Sequence, residues 1–149
     1  MTIGGIAANV WFNLRQQLTP EQLDEARRVW SQKRPGSYEL HYTIKREVNP
    51  DLAGTVPLNY TAHVNGEKVS VTTPEGKVLR PGDYEFDNME SLFDAIDRQL
   101  RVDSDPDRPR AFVKAEFDGI DGHVTHYVHS VMRTRERLEV TVKMTREGN

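Results

Sequence analysis

A chain of 149 residues, 36% hydrophobic and 29% charged, has room for one domain whose core needs neither metal nor disulfide. Its formal net charge of −3 and pI near 6.0 leave no basic footprint for nucleic acid. The absence of cysteine excludes disulfides, thiolate zinc sites and a cysteine nucleophile.

Residues 1–18 stand apart from the rest. Ile3 to Phe12 is apolar and uncharged, and Arg15 follows. The stretch is shorter than the roughly 20 residues a bilayer demands, and no basic n-region precedes it. One expectation is the outer end of a membrane anchor, making membrane contact through Ile3, Ile6, Val10, Trp11 and Phe12. The alternative is an amphipathic helix, with Ile3, Ile6, Val10 and Leu14 at helical spacing against the domain.

A single α+β domain is expected over 19–149. Thr19 and Gln22 form a capping box, Pro20 sits at the first helical position, and Leu18 with Leu23 make a hydrophobic staple. Leu23, Ala26, Val29 and Trp30 give the apolar stripe of a helix over 19–34, ended by Pro35-Gly36. Tyr38, Leu40, Tyr42 and Ile44 then alternate with polar residues, which predicts a half-buried strand. A loop is expected from Asn49 to Pro57.

Asn65-Gly66 reads as a two-residue type I′ hairpin turn. That turn predicts Ala62 opposite Val69 and Tyr60 opposite Val71, with Thr61 facing Ser70 and His63 facing Lys68. Thr73-Pro-Glu-Gly76 and Pro81-Gly82 bracket a short Lys77–Arg80 strand. Asp87 and Glu90 read as a second capping box, opening a helix over 88–101 with Leu92, Phe93, Ile96 and Leu100 apolar. Its exit, 103–110, carries two prolines and alternating charge, and is expected to be irregular. Val113, Ala115 and Phe117 predict an inward-facing strand. A turn at Asp118–Gly122 leads to a strand over Val124–Val131, and Leu138, Val140, Val142 and Met144 predict the last. The expected architecture is an antiparallel sheet with two helices on one face, in the order α-β-β-β-α-β-β-β.

Chemistry is less legible. Five histidines invite a metal proposal, yet none has helical HxxxH spacing, and strand parity separates His126 from His129. They read better as solvated surface residues, and no cofactor or metal is expected. Asp103, Asp105 and Asp107 begin like a calcium loop, but Arg108 and Lys114 stand where glycine and glutamate belong. No serine sits in a nucleophile elbow, and no glycine-rich phosphate loop is present. Glu116, Asp118 and Asp121 could pair as carboxylates, but acidic residues at hairpin ends ordinarily serve turns. Tyr38, Tyr42, Tyr60 and Trp30 could line a ligand cavity, although their parity fits plain core. A partner surface is expected instead on the wet sheet face (Glu39, His41, His63, with Thr43 and Thr61) and at Arg133, Arg135 and Arg137.

A series of short motifs resembles a known type of bacterial domain. Trp30, Ser37-Tyr38-Glu-Leu, Asn65-Gly-Glu-Lys-Val-Ser-Val71, Ser91-Leu-Phe-Asp-Ala-Ile96, Ala115-Glu-Phe-Asp118 and Gly122-His-Val-Thr-His-Tyr127 are similar to those of exported, often lipid- or membrane-anchored small domains. The likeness spans roughly residues 19–144. It departs where Gly122-His-Val replaces a Gly-x-Pro turn, and where Arg135-Glu-Arg137 replaces an acidic pair. The resemblance implies an α+β domain of the cell envelope with no catalytic residue. The resulting expectation is a non-catalytic binding domain whose partner is a protein or small ligand of the envelope. The alternatives are a small metal-assisted hydrolase using the histidines, or a small-ligand carrier.

Overall fold

The computed structural model describes residues 17–47 and 57–146. The N-terminal apolar stretch lies outside them, as does nearly all of the loop expected before Pro57. Helix α1 covers Pro20–Lys33 and starts as the sequence predicts. The Gln22 amide donates to Thr19 Oγ1 and the Thr19 amide to Gln22 Oε1, both at 3.1 Å. Leu23, Ala26 and Trp30 are its buried residues, one stripe on one face.

Seven strands form a single antiparallel sheet. They are β1 (Ser37–Glu47), β2 (Leu58–Asn65), β3 (Lys68–Thr72), β4 (Val78–Leu79), β5 (Ala111–Phe117), β6 (Val124–Val131) and β7 (Arg137–Arg146). Their spatial order is β4-β3-β2-β1-β7-β6-β5, so β1 pairs with both β2 and the final strand. The predicted Lys77–Arg80 strand is present as the two-residue edge strand β4. Side chains alternate as a one-sided sheet requires. Tyr38, Leu40, Tyr42, Ile44, Tyr60, Ala62, Val64, Val71, Val113, Val140 and Val142 are all buried in one cluster with residues of both helices.

The hairpin register differs from expectation. Ala62 pairs with Val71 and Val64 with Val69, while Asn65 is the last paired residue, opposite Lys68. The loop is therefore Gly66-Glu67. Gly66 has φ +64° and Glu67 has no positive φ, which is the type II′ pattern with glycine first. Asn65 is held in the ladder instead, and its Oδ1 accepts from Ser37 Oγ at 3.0 Å. His63 thus faces Ser70 and Thr61 faces Thr72. The slip moves each partner by two residues, so every side chain keeps its predicted face.

Helix α2 covers Met89–Asp103, and its cap also differs. Asn88, not Asp87, is the N-cap, accepting from the Ser91 amide at 2.9 Å. Asp87 accepts from the Asn88 amide just outside the helix, and Glu90 is released for another task. Its carboxylate accepts from Trp30 Nε1 and from Arg34 Nη1, each at 2.7 Å, tying α1 to α2. Three tyrosine hydroxyls tie α2 to the sheet. Tyr42 donates to the Asp87 carbonyl at 2.8 Å, and Tyr38 accepts from the Met89 amide at 3.2 Å. Tyr60 donates to the Phe86 carbonyl at 2.8 Å and accepts from its amide at 3.1 Å. Burial raises the pKa of all three phenols, that of Tyr38 to about 12, so the hydroxyls stay neutral. Trp30, Tyr38, Tyr42 and Tyr60 are thus buried together in the core cluster.

The turn before β6 docks on α1 through Gly122. This residue has φ +81°, and a Cβ there would stand 2.4 Å from the Ala26 carbonyl oxygen. Backbone strain and steric overlap would act together, so Gly122→Ala should destabilise by about 3 kcal/mol in urea unfolding. Asn88→Ala should cost about 1 kcal/mol, the ordinary loss of an N-cap.

Candidate functional site

A cleft of about 330 Å³ opens at the end of the sheet where α2 finishes, near the lower limit for small-molecule sites. Strand β6 supplies Tyr127, His129 and Val131, and α2 supplies Gln99 and Asp103. Arg46, Arg108, Arg137 and Glu136 lie around them. The local cause is simple. Tyr127 and His129 follow inward parity on β6, while Gln99 and Asp103 continue the Leu92–Ile96 stripe of α2 by helical steps. The last turn of the helix and the end of the strand therefore meet with polar side chains where the core runs out.

Within the cleft His129 Nε2 lies 2.9 Å from Asp103 Oδ2, and Gln99 Nε2 donates to Asp103 Oδ1 at 3.0 Å. The His129 and Asp103 side chains are 14% and 16% exposed, so the pair is partly shielded from water. Tyr127 is 3% exposed, and burial raises the pKa of its phenol, with Asp103 adding to the rise. Its hydroxyl has no hydrogen-bond partner among the described residues. Among the described residues every fully buried side-chain polar atom is partnered, so this hydroxyl is the point at which Tyr127 reaches the open cleft.

The residues expected to bind a partner fall elsewhere, in two groups. Glu39, His41 and His63 meet on the uncovered face of the sheet. Glu39 Oε2 lies 3.0 Å from His63 Nδ1, and Glu39 Oε1 lies 3.6 Å from His41 Nε2. His63 Nε2 also contacts Thr72 Oγ1 at 2.9 Å, and His41 Nδ1 contacts Thr61 Oγ1 at 3.0 Å. Arg133, Arg135 and Arg137 lie in and after the β6–β7 turn, where Arg133 takes φ +65°. Of the three, Arg137 alone lines the cleft, and it also pairs with Glu139 at 3.2 Å. His126 bonds Glu139 on the outer face at 2.7 Å, opposite in direction to His129.

His123 departs from its expected place on the surface. It is 7% exposed, with Nδ1 2.5 Å from Asp121 Oδ1, and its ring meets the Trp30 indole edge-on. Asp118, Asp121 and His123 are the one group among the described residues close enough to share a cation. Asp118 Oδ1 and both Asp121 oxygens already accept hydrogen bonds. Asp118 Oδ1 accepts from the amides of Ile120 and Asp121, as its turn role predicts. Asp121 Oδ2 accepts from Arg146 Nη2 at 2.8 Å, so a guanidinium already supplies that oxygen with a positive partner. Sequence parity missed this centre because its partners come from a turn and from the end of β7.

Comparison with known proteins adds no assignment, since no family model matches the chain and no curated protein matches its sequence.

Hydrogen bonds from His123 and Arg146 hold the Asp121 carboxyl below its ordinary value despite the opposing effect of burial. A carboxyl depressed on folding stabilises above its unfolded value, near 3.8, and the gain fades as pH falls through the folded value. Asp121→Asn should therefore be less stable than the parent near neutrality. The two unfolding free energies should converge as pH falls through the folded value of the Asp121 carboxyl in a pH series of urea melts.

Proposed function

We propose that the chain is a non-catalytic binding domain that takes a small polar ligand in the cleft between the end of α2 and β6. The observation that carries this reading is the Tyr127 hydroxyl, which reaches the open cleft beside the Asp103–His129 pair with no partner among the described residues. A polar atom held at the mouth of a cleft without an internal partner keeps its hydrogen bond for something that enters. Among the described residues the cleft lining includes no serine, threonine or cysteine to serve as a nucleophile for His129. The histidines are also dispersed, which favours binding over metal-assisted hydrolysis.

A cell-envelope location is part of the same proposal. It is supported by the motif resemblance and by the apolar stretch through Trp11 and Phe12. Among the described residues no helix is long and apolar enough to cross a membrane. Tethering would therefore fall to the segment before Thr19. Recovery of the native protein with the membrane fraction of lysed cells is the expected result, and recovery in the cytosolic fraction would count against it.

The binding reading is tested by titrating the labelled protein with a library of polar fragments and following backbone amide resonances. Saturable shifts should gather at Gln99, Asp103, Arg108 and His129. Fragments that bind only on the outer face, around His41 and His63, would contradict the reading.

A further inference from the structure

We infer that this cleft selects ligands carrying a protonated amine, an assignment that rests on the cleft being a binding site. The inner wall is rich in acceptors. Each Asp103 oxygen takes one protein donor, from Gln99 or His129, and each keeps a second lone-pair direction. His129 Nε2, 2.9 Å from Asp103 Oδ2, fixes that carboxylate in the wall. The Tyr127 hydroxyl can accept as well as donate. The wall also stands at the C-terminal end of α2, where the helix carbonyls contribute partial negative charge.

The arginines do not reverse this balance. Arg46 is ion-paired with Glu85, and Arg137 is bonded to Glu139 and stands opposite Glu47 in the β1–β7 register. Arg108 is the lining cation without an ion pair among the described residues, and Glu136 is a lining carboxylate in the same condition. An entering carboxylate would face Asp103 and the helix end, both negative, with one exposed guanidinium in its favour. An ammonium group offers only donors and meets the acceptors in their own geometry. Its three hydrogens match Asp103, the Tyr127 oxygen and one site left to water or to Glu136.

The test uses the full chain at neutral pH and two chain-matched probes, 1,4-diaminobutane and succinate, at equal ionic strength. The diamine should give saturable amide shifts at Gln99, Asp103 and His129, and succinate should not. Asp103→Asn and Tyr127→Phe should each weaken the diamine about tenfold, the cost of one charge-assisted hydrogen bond. Tyr127→Phe removes a hydroxyl that holds nothing in place, so its fold should be unchanged. Saturable succinate shifts at these amides, without diamine shifts, would overturn the amine assignment while leaving the cleft a binding site. Diamine shifts that persist unchanged in both variants would overturn it too, by placing the amine elsewhere. No response to either probe would end the assignment as well, and the fragment titration would then decide the cleft itself.

Discussion

Three phenolic hydroxyls on β1 and β2 bind the backbone of Phe86, Asp87 and Met89, and the placement of α2 follows from that contact. A sheet face built from tyrosines brings polar atoms into the core, where each must find a partner. Here the partners are backbone groups of the segment entering a helix, including an N-terminal amide that has no acceptor within the helix. The Tyr60–Phe86 contact satisfies a donor and an acceptor at once. Packing area alone would let a helix slide over the sheet. Paired hydroxyls fix where it begins, and therefore where its fifteen residues end.

That end is the cleft. Gln99 and Asp103 reach Tyr127 and His129 because α2 starts over β1 and β2 and finishes beside β6. Glu90 strengthens the other end by gathering the Trp30 indole and the Arg34 guanidinium onto one oxygen. The Asp121 centre plays a separate part. It holds the β5–β6 turn against α1 through Gly122 and anchors the end of β7 through Arg146. Two helices on one face leave the other face of the sheet with its threonines, histidines and glutamates, and there the charged residues largely pair among themselves.

Sequence periodicity carried the fold because the decisive signals were local. Alternation at Tyr38–Ile44 and Leu138–Met144 set the buried face, and Thr19 with Gln22 set the first helix start. The hairpin loop and the second helix cap were each displaced by one residue along the chain. Asn65-Gly66 satisfied a type I′ turn on paper, but the Ser37–Asn65 bond kept Asn65 in the ladder and moved the loop to Gly66-Glu67. Asp87 and Glu90 had capping-box spacing, but Asn88 was an equally good cap next door, and Glu90 had partners on α1 and β1. The candidate site was far less legible. His129 at inward parity and Asp103 at the end of the α2 stripe were each visible, while their meeting depended on where α2 lay. His123 was misplaced for the same reason, since its ring packs on Trp30 of α1, distant in sequence.

Native-state amide exchange in single tyrosine variants tests the central contact most directly. Tyr60→Phe leaves the Phe86 amide and carbonyl without their partner, and Tyr38→Phe leaves the Met89 amide without its acceptor. The account predicts exchange at least about tenfold faster at Phe86 in the first and at Met89 in the second, as expected for loss of a buried hydrogen bond worth about 1–3 kcal/mol. The β6–β7 amides should be affected least. Exchange at Phe86 and Met89 that matches the parent protein in both variants would contradict it, because α2 would then be held by packing alone.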